Sequence, residues 1–161
     1  MSLARTSLKF AVAMLLPAAA VLGTPASGAE PPVPAYAPGL GDFMTAYVQP
    51  HHIKLALAGD VGNWKLAAYE ASELSETFED VSTYAATWKG VPVARWIKLL
   101  MRPTLRAVDT AIAAQDPAAF KAAYASLTGA CNACHVKARH EFLQIEIPGD
   151  NPYPDQNFAA P

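Results

Sequence analysis

From residue 40 onward, apolar side chains recur at intervals of three and four and show no sustained alternation, which predicts helices and no strand. Four helical segments follow from that period. The first runs roughly from Leu40 to Ala58, with Gly59-Asp60 and Gly62-Asn63 as the turn after it. The second runs from about Trp64 to Trp88 and closes at Gly90; the third starts with Pro92 in its first turn and ends near Gln115. The fourth opens at Asp116-Pro117, where Asp caps the helix and Pro takes the first helical position, and continues to about Ile147 before Pro148-Gly149. Pro50 and Pro103 each remove a backbone donor and should kink or split the first and third helices. Short connections make antiparallel neighbours the default. The expectation is all-α: an antiparallel up-down-up-down four-helix bundle over residues 40–147.

The two ends read differently. Arg5 and Lys9 precede an apolar stretch from Phe10 to Leu22, and Ser27-Gly28-Ala29 offers small residues for cleavage, so residues 1–29 read as a cleaved signal peptide. Periplasmic export is the expectation, with 132 residues left from Glu30. Residues 30–39 form a proline-rich linker, and residues 148–161, with four prolines, form a wrapping or disordered tail. The leader holds two of the twelve basic residues and none of the fourteen acidic ones, so the mature formal charge is −4. No basic stripe stands out along the chain, which argues against nucleic acid as a partner. No second long apolar run follows the leader, so the mature chain is not expected to span a membrane.

The chemistry concentrates in Cys131-Asn132-Ala133-Cys134-His135. C-x-x-C-H is the attachment sequence of a c-type haem. Two thiols three positions apart reach the vinyl groups of one porphyrin from about one helical turn, and the next imidazole can ligate the iron. Phe120, Tyr124, Leu127, Cys131, His135, Ala138, Phe142 and Ile145 keep helical spacing through the motif, which puts it on the buried face. A thioredoxin-like pair would want a βαβ pattern, zinc would want more ligands than two cysteines and their neighbours supply, and a disulfide within one helical turn is strained. One covalent haem c, on Cys131 and Cys134 with His135 as proximal ligand, accounts for the motif best.

A four-helix pattern with C-x-x-C-H near the end of the last helix resembles the class II cytochromes c, the family of cytochrome c-prime and its low-spin relatives. Arg139, four residues after His135, matches an arginine common in that family. The aromatic preferred just before it is replaced by Ala138, with Phe142 one turn later to fill the space. The His51-His52 pair is not a cytochrome c-prime pattern. The resemblance implies a haem bundle whose first helix covers the distal face.

Met44, His51 and His52 are the residues of the first helix that could provide a sixth iron ligand. Stepping 100° per residue puts Leu40, Met44, His51, Leu55 and Ala58 on one stripe, so His51 is the first choice, with Met44 and His52 behind it. Folding back at Gly59–Gly62 brings Glu70 and Glu73 opposite the pair, where a carboxylate could receive an imidazole N–H and strengthen the other nitrogen as a ligand. The same four side chains could instead hold a second metal, though without the Glu-x-x-His spacing of bundle-core sites. Glu76, Glu79 and Asp80 read as a solvated face, and Trp64, Trp88 and Trp96 as core or rim anchors.

No nucleophile–base pair stands out, so the reading is an electron carrier rather than an enzyme: an exported monohaem cytochrome with six-coordinate iron and a redox partner protein. The alternatives are a five-coordinate, gas-binding protein of the cytochrome c-prime kind, taking nitric oxide or carbon monoxide, and a peroxidase-like enzyme with a distal histidine as base. Pairing into a homodimer is left open.

Overall fold

The computed structural model describes residues 36–160; the expected signal peptide, 1–29, and most of the expected proline-rich linker lie outside the described residues. Four helices account for most of them, and no strand occurs among them. α1 (residues 40–60) joins Leu40–Asp42, a π-helical segment Phe43–Val48, and Gln49–Asp60 without a break. α2 is Trp64–Tyr84. α3 (residues 93–114) repeats the design of α1, with Val93–Trp96, a π-helical segment Ile97–Met101, and Arg102–Ala114. α4 is Pro117–Lys137. α1 packs on α2, α2 on α3, α3 on α4, and α4 on α1.

The prolines neither split nor end their helices. Pro50 and Pro103 each stand two residues after a π segment. A proline cannot donate to the ladder, and its ring collides with the carbonyl four residues back. A π turn takes in one extra residue and relieves both problems, so the helix continues with its phase shifted.

One end of the helices is tightly packed. Asn63 caps α2 by accepting from the Leu66 N–H, and Asp116 caps α4 by accepting from Ala118 and Ala119 at 2.9 and 3.0 Å. Phe120 on α4 packs against Gly59 of α1, so close that a methyl group at Gly59 would overlap the ring carbons Cδ1, Cε1 and Cζ. Its edge meets Trp64 and its face stacks on Tyr124, each with centroids 5.9 Å apart.

Two helix ends differ from expectation. α2 stops at Tyr84, not Trp88, because the chain must reverse before Pro92. Trp88 and Val91 exchange two backbone hydrogen bonds across Lys89 and Gly90, whose φ values of 46° and 81° suit a tight two-residue turn. α4 stops at Lys137, ten residues short of Ile147. Arg139 turns left-handed at φ 57°, and the chain folds back on itself. The tail then wraps the helices: Phe158 is buried, and the Asn63 amide donates to the Phe158 and Ala159 carbonyls at 3.1 Å each. No helix among the described residues is long and apolar enough to cross a membrane.

Candidate functional site

The other end of the helices is hollow. A cavity of about 500 Å³ opens between the π-helical halves of α1 and α3, the last turns of α4, and the returning tail. That is the size range of small-molecule and cofactor sites. Its walls are largely apolar: Val48 and Ile53 on α1, Phe78 on α2, Val93, Ile97 and Met101 on α3. Both π segments face it. The widening that accommodates Pro50 and Pro103 therefore coincides with the walls of the cavity.

Cys131, Cys134 and His135 all line this cavity, from the last two turns of α4. The thiols are half-buried and not joined in a disulfide. Burial pushes the Cys131 thiol up to about 12, with a smaller contribution from Cys134, and burial raises the Cys134 thiol as well. Both are thus held as neutral thiols, which resist oxidation because the thiolate is the reactive form. The His135 Nδ1–H donates to the Leu143 carbonyl at 2.6 Å. That bond fixes the tautomer and leaves Nε2 with its lone pair, the arrangement of a metal-ligating histidine. Two free thiols, a histidine with one nitrogen free, and apolar walls suit a c-type haem.

The tail is part of the site, which the sequence reading missed by extending α4 too far. Leu143 to Gly149 form one wall of the cavity. Asn132, between the two cysteines, holds that wall: its amide donates to the Ile145 carbonyl at 2.9 Å, and its oxygen accepts from the Ile145 N–H at 2.8 Å. A side-chain amide pairing with both backbone groups of one residue mimics a strand contact. The only sequence signal for it was an asparagine at a motif position where any residue would serve the attachment chemistry.

The adjacent histidines part company. His52 is buried and lines the cavity; Nδ1 lies 3.0 Å from the Tyr124 hydroxyl and Nε2 3.0 Å from the Thr128 hydroxyl. Burial lowers its pKa to about 4, so the ring is neutral, and both nitrogens are engaged away from the cavity. His51 does not line the cavity. Its Nδ1–H donates to Glu70 at 2.7 Å, and Nε2 stands 4.0 Å from Glu73. Glu70 is only 2% exposed and His51 is half-buried, so the pair is a part-buried tie between α1 and α2. The expected carboxylate partner is present, but the second nitrogen is turned to Glu73 and not to the cavity.

The π segment is the physical reason. The extra residue in the turn retards every later position by about one place, roughly 100° at 3.6 residues per turn. His52 thereby takes the azimuth that uninterrupted stepping gives to His51. Met44 lies within the π segment and lines the cavity. His52 stands apart from His51, Glu70 and Glu73, and no group of three or more side chains able to hold a metal ion occurs among the described residues. Arg139 is exposed, and Phe142, 73% exposed, leaves the space it was expected to fill.

Comparison of the chain with protein-family models, with curated proteins and with solved structures gives no match.

Proposed function

We propose that this protein is an exported monohaem c-type cytochrome that passes single electrons, built as an up-down-up-down four-helix bundle of the class II kind. One observation carries the reading: both thiols of C-x-x-C-H and a histidine with its Nδ1–H committed to a carbonyl line the same apolar cavity. Cys131 and Cys134 would hold the haem by thioethers and His135 would bind the iron, whose cycling between ferric and ferrous states is the chemistry the group supplies. The chain's own part is to fix that environment. The Leu143 carbonyl makes the His135 ring more electron-rich, which favours the ferric state. The apolar walls exclude water and lessen the rearrangement around the metal when the charge changes.

For the sixth position the geometry favours Met44 over His51. Met44 lines the cavity, while His51 is tied to Glu70 on another face and His52 is held by two hydroxyls. An axial methionine raises the reduction potential relative to histidine. The test is an absorption spectrum of the oxidised and reduced protein, with and without carbon monoxide, on wild type and Met44→Leu. Wild type should be low-spin and should not bind carbon monoxide without losing a ligand; Met44→Leu should become high-spin and bind it directly. A high-spin wild type that binds carbon monoxide would favour the gas-binding reading. Loss of the low-spin spectrum in His51→Ala would restore His51 as the ligand.

A further inference from the structure

The chain is acidic overall, yet its charges are sorted by helix. No Asp or Glu lies between Asp80 and Asp109, or between Asp116 and Glu141, and these two stretches hold eight of the twelve basic residues. They form the turn before α3, α3 itself and α4, which pack together. Half of the acids, seven of fourteen, lie before them on α1 and α2.

The fold gathers part of this charge beside the cavity. Lys137, two residues past His135, sets its ammonium over the Trp96 ring at 5.4 Å, and the Arg95 guanidinium lies 5.7 Å from the same ring. Lys89 stands 4.5 Å over Trp88, whose ring also meets His140 edge-on. Lys89, Arg95, Lys98, Lys137 and Arg139 are all exposed, and Trp88 and Trp96 are half-buried. Val93 and Ile97, on the same turns as Arg95 and Lys98, form a cavity wall. Among the described residues, no lysine or arginine forms an ion pair; the recorded pairs both involve His51. The nearest acids along the chain, Glu141 and Glu146, belong to the tail.

We propose that this face of cations laid on indole rings is the docking surface for an acidic, soluble electron-transfer protein. The proposal rests on the haem reading, because docking here brings a partner to the cavity wall. Charge complementarity names the occupant. Unpaired cations beside an electron-exchanging site steer an anionic partner into productive encounter even when net charge opposes it. Tryptophan and arginine together are the residue types that carry most binding energy in protein interfaces. Nucleic acid is disfavoured by a sequence pI of about 6.0.

Two measurements on the purified protein test this. At pH 7 and low salt, wild type should be retained on a sulfonate column despite its negative net charge. Lys137→Glu should weaken retention far more than Lys65→Glu, which changes net charge equally but sits near the start of α2. Lys89→Gln with Lys137→Gln gives the same comparison without placing new acids against the rings. Oxidation of the ferrous protein by ferricyanide, which takes one electron to become ferrocyanide, should slow roughly threefold or more as salt screens the attraction. Oxidation by tris(phenanthroline)cobalt(III) should speed up with salt. Passage of wild type through the column, or the opposite salt trends, overturns the proposal. So does sedimentation with phosphatidylserine vesicles, which would make the partner a membrane, or self-association at low salt, which would make it a second copy. A colourless protein still retained by the column would sink the haem reading and leave the surface standing; a coloured protein not retained would do the reverse.

Discussion

The two ends of the helices obey opposite packing rules. At the closed end, Phe120 presses on Gly59, both neighbouring helices carry side-chain caps, and the chain's last residues are tied to Asn63. At the hollow end, two helices widen into π turns, two thiols and an imidazole stand half-buried, and the fourth wall is a stretch of tail without regular structure. The closed end rests on shape complementarity and on capping and tail hydrogen bonds. The hollow end gives up backbone regularity and packing density to keep space. Tight packing and the candidate site are therefore separated along the same helices, with His52 and its Tyr124 neighbour at the border.

The largest expected effect is at the hollow end. Replacing Cys131 and Cys134 together by Ala should abolish covalent haem, read by haem staining after denaturing electrophoresis and by intact mass. A wild-type preparation matured with haem-attachment machinery that gains no haem mass would break the comparison, since that end would then have no chemistry to protect.

The border should respond to acid. His52 keeps a pKa of about 4 in the folded chain against an ordinary value near 6.5 when unfolded. Between those values the unfolded chain takes up a proton that the folded chain refuses, so stability falls as pH drops from 6.5 to 4. The loss is up to about 3 kcal/mol and stops growing below pH 4. Urea denaturation of His52→Asn should lack this component; an unchanged slope would mean the ring is not the neutral, buried group described.

At the closed end, Gly59→Ala should cost about 2 kcal/mol, because Phe120 must leave its rotamer or the helices must part. Its haem spectrum should not change. A shifted spectrum would show that strain at one end reaches the other. The smallest effect belongs to Asn132→Ala, which removes two hydrogen bonds from a half-buried site and should cost about 1 kcal/mol. Limited proteolysis between residues 138 and 149 should nonetheless speed up several-fold, and the reduction potential should rise as His135 loses its carbonyl partner.

Helix number, the turns at Gly62 and Gly90 and the Asp116 cap were all legible, because each rests on local period or local hydrogen bonding. The His51–Glu70 tie was legible too, from two carboxylates one turn apart opposite a histidine pair. What failed to show was anything dependent on a count of residues per turn. Pro50 and Pro103 announced a disturbance without saying that a π turn would absorb it, and that single extra residue exchanged the places of His51 and His52. The end of α4 was misplaced for a related reason. Phe142 and Ile145 keep helical spacing by coincidence, while the bonds that end the helix come from Asn132 and His135, whose side chains reach residues eight to thirteen positions ahead.

The left-handed turn at Arg139 also sets an order of events. The wall from Leu143 to Gly149 follows both thiols in the chain, so the cavity is not enclosed until that stretch has folded back. Until then both thiols stand open on that side. The tail's docking, through Asn132 and Asn63, works as a latch that closes this side of the cavity.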